Sequence, residues 1–232
     1  MKKRVLLKLS GESLGDANAS ISAASLKRIV SEIKAASKNA QFAIVVGGGN
    51  IWRGAGKAIE RVTADKMGML ATAMNALALN DAFKKTGIKS RVFTASPVTG
   101  FIETFNGKKV LNALRNGNIV VFGGGTGKPF FTTDTTAALR AAEINADILL
   151  KATQVDGVYS ADPKKDKKAV KYGSLTFQEA LDKKLKIMDA EAFALCKESG
   201  ISICVFDFYK NGNLKKVLSG KKIGTIVTAG KK

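Results

Sequence analysis

Short apolar runs alternate along this chain with longer stretches of helical periodicity, and that order leaves few folds open. Residues 5–9 read as a strand. Residues 22–37 place Leu26, Ile29, Val30 and Ile33 at helical spacing. Residues 42–46 form the next strand and run into Gly47, Gly48 and Gly49. The pattern over 62–85 predicts a long helix with a methionine-rich apolar face, and Arg91, Val92 and Phe93 begin a further strand. A short helix over 108–115 leads to a strand over 119–122, which enters Gly123, Gly124 and Gly125. A helix over 134–145 and a strand over 148–150 follow. Thr176 and Glu179 form a capping box that opens another helix, and strands over 201–206 and 225–227 close the series.

Such alternation predicts an α/β fold, a three-layer αβα sandwich with a mainly parallel central sheet and helices on both faces. The 232 residues suit one domain, with a soft division near Asp147 into halves 1–146 and 147–232. Segment 160–171 is basic and poor in apolar residues, and it reads as a mobile loop stiffened at its entry by Pro163.

Histidine is absent, which removes Ser-His and Cys-His nucleophilic catalysis. Cys196 and Cys204 sit among apolar neighbours and read as buried filler in a reducing compartment. Two cysteines without histidine do not make a structural zinc site. No apolar run approaches the ~20 residues that span a bilayer. The charged start, Met1 to Arg4, precedes an apolar stretch too short for a leader and interrupted by Lys8. The expected location is the cytoplasm. Thirty-eight basic against 19 acidic residues give a net charge of +19, a field that favours nucleotides, nucleic acid or another anionic partner. Much of the excess is lysine, at 164, 165, 167, 168 and 171 and again at 183, 184 and 186, without the interleaved aromatics that stack on single strands.

Three glycine-bearing segments follow strands: 8–11, 47–56 and 123–133. Glycine lets backbone amides approach an anion closely, and ligands of such sheets gather beyond the carboxyl ends of strands. The Walker pattern fails, because Pro129 follows Gly127-Lys128 and Phe122 stands where its first glycine belongs. The dinucleotide fingerprint fails at Trp52 and at Phe130. Lys8 interrupts an apolar strand, which is costly unless it meets an anion, although a packed stem with its head in water is the plain alternative. Arg53 suits phosphate oxygens, and a surface pair with a nearby acid is its alternative. Thr132 and Thr133 open a helix, where hydroxyls and amides face any anion or serve as ordinary caps.

Lys8, Leu9, Ser10, Gly11 and Glu12 resemble the first nucleotide-binding motif of the bacterial UMP kinases. Residues 47–54 resemble their second motif, and 65–70 the start of their acceptor-side helix. Residues 125–134, with the run Pro129, Phe130, Phe131, Thr132, Thr133, Asp134, are the most distinctive. Residues 151–163 are similar to the adenine and ribose loop of the wider amino-acid-kinase family. The motifs occur in order over nearly the whole chain.

The resemblance implies transfer of the γ-phosphoryl group of ATP to UMP, giving UDP and ADP in pyrimidine nucleotide biosynthesis, with Mg2+ accompanying ATP. It implies that Lys8, Leu9, Ser10, Gly11, Gly49 and Arg53 line the ATP phosphates, and that Thr153, Tyr159 and Asp162 hold adenosine. It assigns UMP to Gly48, Asp65, Thr126, Gly127, Lys128, Pro129, Phe130, Phe131, Thr132 and Thr133, with Asp65 accepting from ribose hydroxyls. Lys8, Arg53 and Asp134 form the implied catalytic set, with Asp134 orienting Lys8 or helping place magnesium. Asp189 is a second magnesium candidate, or else the cap of the helix that follows it. A homohexamer built from dimers is also implied, and the apolar face of 62–85 is either its dimer seam or core. The segment 13–21 carries only Gly15 where the family often carries a glycine-rich stretch linked to GTP activation, which leaves such regulation open. Two rival readings remain: a carboxylate kinase of the same fold, for aspartate, glutamate or acetylglutamate, and a basic nucleic-acid-binding protein.

Overall fold

The computed structural model describes residues 2–54, 58–98 and 100–230. Met1 and the end of the 47–56 segment, including Gly56, lie outside the described residues. The strands are β1 (Lys3–Leu9), β2 (Ala40–Val46), β3 (Ser90–Thr94), β4 (Glu103–Thr104), β5 (Ile119–Gly123), β6 (Ile148–Thr153), β7 (Val158–Tyr159), β8 (Lys171–Tyr172), β9 (Ser174–Thr176), β10 (Ser202–Asp207) and β11 (Thr225–Thr228). The helices are α1 (Ala23–Ala36), α2 (Arg61–Lys85), α3 (Gly107–Arg115), α4 (Thr133–Glu143), α5 (Phe177–Asp182), α6 (Ala190–Glu198) and α7 (Asn213–Leu218).

Nine strands form one sheet in the order β4-β3-β5-β2-β1-β6-β10-β11-β9. Within this sheet, among the described residues, only the β10–β11 pairing is antiparallel. Central strand β1 is buried on both faces: Val5, Leu6, Leu7 and Leu9 have no exposure, as a continuous apolar run in a parallel sheet requires. On one face α1, α2 and α7 cover Leu7, Leu9 and Phe206 with Ile29, Phe83 and Leu214. On the other, α3, α4, α5 and α6 cover Leu6, Val45 and Leu149 with Val110, Ala137, Phe177 and Phe193. The three layers follow from this alternation. Each fully buried Leu, Ile or Phe contributes roughly 1.5–3 kcal/mol.

β1 pairs with β2 on one side and β6 on the other. The chain leaves β1 through α1 toward β2, and leaves β6 through α5 and α6 toward β10. Neighbouring strands with diverging crossovers create a crevice at their carboxyl ends. Lys8 and Lys151 stand in register on that boundary.

Local signals set most helix starts. Ser22, Asn106 and Thr132 cap α1, α3 and α4, and the Thr176–Glu179 box opens α5 as expected. Helix α2 begins at Arg61, where Glu60 accepts from the amides of Val62 and Thr63. Helix α7 has six residues and β4, β7, β8 and β9 have two or three, too few to show a period. Segment 160–171 is an exposed run of turns up to β8, closed at its base. β7 and β8 pair antiparallel at its base, Ser160 N–H donates to the Val170 carbonyl at 2.9 Å, and the Asp162 carboxylate accepts from Lys164 N–H at 3.0 Å. Cys196 and Cys204 are free and buried. Burial pushes both thiols up to about 12, with Asp134 and Asp189 adding to the effect at Cys196.

Candidate active site

One largely buried carboxylate, Asp134, joins two lysines at the crevice. Lys151 Nζ donates to Asp134 Oδ2 and to the Ile187 carbonyl, each at 2.6 Å. Lys8 Nζ lies 3.0 Å from Asp134 Oδ1. Its approach is off the hydrogen-bonding direction, and Oδ1 accepts no hydrogen bond among the described residues. Lys151 is therefore tied at two points, whereas Lys8 is held by the ion pair with Asp134 alone among the described residues. Burial alone would raise the Asp134 carboxyl, but Lys8 and Lys151 outweigh it and hold it below the usual carboxylate range. Burial lowers the Lys151 ammonium, and Asp134 opposes that shift. The trio carries one net positive charge and sits beside the N-terminus of α4, where backbone amides favour an anion.

A first cavity of about 300 Å³ opens between the start of α2, the glycine segments after β2 and β5, and the run before α4. Gly48, Asp65, Lys128, Phe131, Thr132 and Thr133 line it. Asp65 accepts from Arg61 Nε at 2.9 and 3.0 Å and from Phe130 N–H at 2.8 Å. Burial would raise this carboxyl; the Phe130 amide and Arg61 overcome that and lower it. Phe130 has φ 71°, a left-handed conformation rare for a bulky residue. The Asp65 contact and the Arg61 guanidinium, 5.6 Å from the Phe130 ring centre, hold it there.

A second cavity of about 510 Å³ lies beyond β6 and is lined by Thr153, Tyr159, Asp162 and Lys151, with Lys183, Lys184 and Lys186 on its far wall. Thr153 Oγ1 donates to the Val155 carbonyl at 2.5 Å and accepts from Val155 N–H at 3.2 Å, bracing the turn. Tyr159 donates to Asp156 at 2.6 Å. Lys151 lines this cavity and is bonded to the carboxylate that Lys8 also approaches, so the trio lies at the edge of both strands' ligand space.

The model of the amino acid kinase family matches residues 3–207. The chain belongs to the amino acid kinase family. The crystal structure of UMP kinase from Bacillus anthracis is 37% identical, with a TM-score of 0.95, over 99% of this chain and 97% of that one. UMP kinase from Ureaplasma parvum is 38% identical, with a TM-score of 0.94, over 98% and 99%. Uridylate kinase from Archaeoglobus fulgidus is 32% identical, with a TM-score of 0.75, over 98% and 100%.

The residues that the family resemblance singles out do not all meet. Thr126, Gly127, Pro129 and Phe130 are not among the lining of the first cavity; Gly127 and Pro129 border a neighbouring groove with Lys66 and Leu70. Phe130 acts through its amide on Asp65. The Leu9 side chain is wholly in the core, so only its backbone faces a ligand. Ser10 and Gly11 bend away from β1 into a 3-10 turn, and Gly11 packs against Gly49. Arg53 pairs with Glu12 at the surface and is 70% exposed. Thr132 caps α4 and also lines the first cavity. Asp189 caps α6, accepting from Ala192 N–H at 2.8 Å and from the hydroxyls of Thr132 and Thr135.

Of the two carboxylates suggested for magnesium, Asp189 has both oxygens engaged within the protein, whereas Asp134 gives Oδ2 to Lys151 and keeps Oδ1 without a hydrogen bond among the described residues. Sequence reasoning missed Lys151 and Arg61. The signal for Lys151 was present, since it interrupts β6 between Leu150 and Ala152 as Lys8 interrupts β1.

Proposed function

We propose that this chain transfers the γ-phosphoryl group of ATP to UMP, giving UDP and ADP. The observation that carries the reading is the Lys8–Asp134–Lys151 trio at the crevice between two cavities. The first cavity is the acceptor site and the second the donor site. The half 1–146 supplies most of the first and 147–232 most of the second. Near-full-length similarity to UMP kinases supports a nucleotide acceptor over a carboxylate one.

An oxygen of the UMP α-phosphate attacks Pγ while the bond from Pγ to the ADP oxygen breaks. That oxygen is already anionic near neutral pH, so no general base is required, in keeping with a chain that lacks histidine. The protein must align two polyanions and neutralise them. Lys8, held by its ion pair with Asp134 alone among the described residues, faces the transferring group. Lys151 holds Asp134, and Asp134 keeps the two ammoniums from repelling each other. The amides at the start of α4 receive negative charge. Arg53 joins the phosphates by exchanging Glu12 for a stronger anion. Thr153, Tyr159 and Asp162 hold adenosine, and Asp65 offers its remaining lone pairs to ribose. Magnesium accompanying ATP would be held chiefly by the nucleotide and would supply further neutralisation of phosphate charge, with Asp134 the carboxylate nearest to assist.

The reading extends to a cytoplasmic homohexamer built from dimers. No helix among the described residues is long and apolar enough to cross a membrane. Leu70 and Met74, 59% and 53% exposed on α2, supply the apolar seam; light scattering checks the assembly. The activity is tested by ADP release with magnesium-ATP and UMP, CMP, aspartate or glutamate offered separately. Turnover with UMP supports the reading. Turnover with an amino acid alone overturns the acceptor, and none with any acceptor, alongside salt-sensitive nucleic-acid binding, overturns the kinase.

A further inference from the structure

Helix α2 does more than carry Asp65. Asp65, Thr72 and Asn75 lie seven and three residues apart, which places them on one face. All three bond to a glycine-bearing segment of the site. Thr72 is buried; its hydroxyl accepts from Gly124 N–H at 2.8 Å and donates to the Met69 carbonyl at 2.7 Å. Asn75 has no exposure and donates to the Gly47 carbonyl at 2.7 Å. It also exchanges two hydrogen bonds with Asn50, at 2.7 and 3.0 Å, and Asn50 donates to the Ser20 carbonyl at 2.6 Å.

The same face is stripped of bulk. A Cβ on Gly48 would come within 2.8 Å of the Gly68 carbonyl, and one on Gly123 within 2.9 Å of the Ala73 Cα. The segments after β2 and β5 thus rest on the helix backbone itself. Their first peptide groups lie beyond the end of the sheet ladder, where a buried N–H or C=O needs another partner. Thr72 and Asn75 are those partners.

We infer that Thr72 and Asn75 are positioning residues for phosphoryl transfer. Thr72 sets the 123–133 segment that leads to the acceptor residues, and Asn75 sets the 47–50 segment that carries Gly48 and Gly49. One rigid helix thereby fixes the spacing of the two segments. The inference rests on the proposed activity. Displacement of a reacting group by a fraction of an ångström is costly even when no contact to substrate is lost.

The test is steady-state kinetics with magnesium-ATP and UMP for wild type, Thr72→Val, Thr72→Ser and Asn75→Ala, with thermal unfolding of each. Valine matches threonine in shape and removes only the hydroxyl. Thr72→Val is expected to raise the KM for UMP about tenfold while the KM for ATP moves less than about twofold, and serine recovers most of the loss. Asn75→Ala is expected to lower kcat about tenfold at a temperature where it stays folded. Kinetic constants of folded Thr72→Val equal to wild type, or a loss that serine does not recover, overturn the inference while leaving the activity standing. A wild type that releases no ADP with UMP overturns the activity and this inference together.

Discussion

The first cavity, proposed for the acceptor, leans on a 25-residue helix, whereas the second, proposed for the donor, is walled largely by turns between strands. On the acceptor side, polar contacts tie distant parts of the chain: Asp65 to Phe130, Thr72 to Gly124, Asn75 to Gly47. Around the second cavity most are local, Thr153 to Val155, Tyr159 to Asp156 and Asp162 to Lys164, with Thr153 to Phe206 and Val158 to Thr225 as the longer ties. A site held by long-range contacts is ordered before its ligand arrives, so little ordering is left for binding to cost. A site held by local turns adjusts one wall at a time. Damage on the acceptor side should therefore spread, and damage on the donor side should stay where it is made.

The largest expected effect lies between the two. Asp134→Asn leaves two largely buried ammoniums without the carboxylate between them, which costs about 3 kcal/mol of stability and lowers turnover by about a hundredfold or more. Urea unfolding and ADP release read both losses. The ion pair also has a pH signature. The folded carboxyl titrates below its unfolded value of about 3.9. Its stabilisation is complete above that value and is lost as pH falls through the lower, folded one. The variant should lack this acid limb; a profile that keeps it would place the limb elsewhere.

Lys8→Ala should follow, losing about tenfold or more in kcat with the fold intact, since its ammonium faces the transferring group in the proposed reaction. A loss under about threefold removes Lys8 from the reaction. Asp65→Asn weakens the hold on Arg61 and is expected to raise the KM for UMP about tenfold, with the KM for ATP little changed; an unmoved UMP KM ends its ribose role. Thr153→Val sharpens the contrast at the smaller end. It should raise the KM for ATP about threefold and leave UMP untouched. Equal effects on both nucleotides would mean the donor wall is not local after all.

The layers, the parallel sheet and most long elements were legible because they carry many apolar residues at a fixed period. Helix α7 and the ribbon of β7 and β8 were not, because two to six residues hold no period and depend on what they pack against. The candidate site divides in the same way. Lys8 and the 125–134 run announce themselves by type and spacing. Lys151 gave the same sign as Lys8, a charge inside an apolar strand, and was overlooked beside it. Thr72 and Asn75 gave none, since a threonine and an asparagine within a helix look like solvent-facing residues until the segments above them are in place. Arg53 was open to two readings, and its partner Glu12 lies 41 residues away.

The two thiols have a practical consequence. The thiolate is the reactive form, and with both groups pushed up to about 12 almost none is present at neutral pH in the folded chain. Cys204 lies on β10, an interior strand third from one edge of the sheet, and Cys196 on helix α6. Alkylating reagents should reach each only when its surroundings open. The rate at each position then times a different event, the loosening of one helix at Cys196 and the parting of the sheet at Cys204. The chain thus carries two internal clocks for its own unfolding, without an added label.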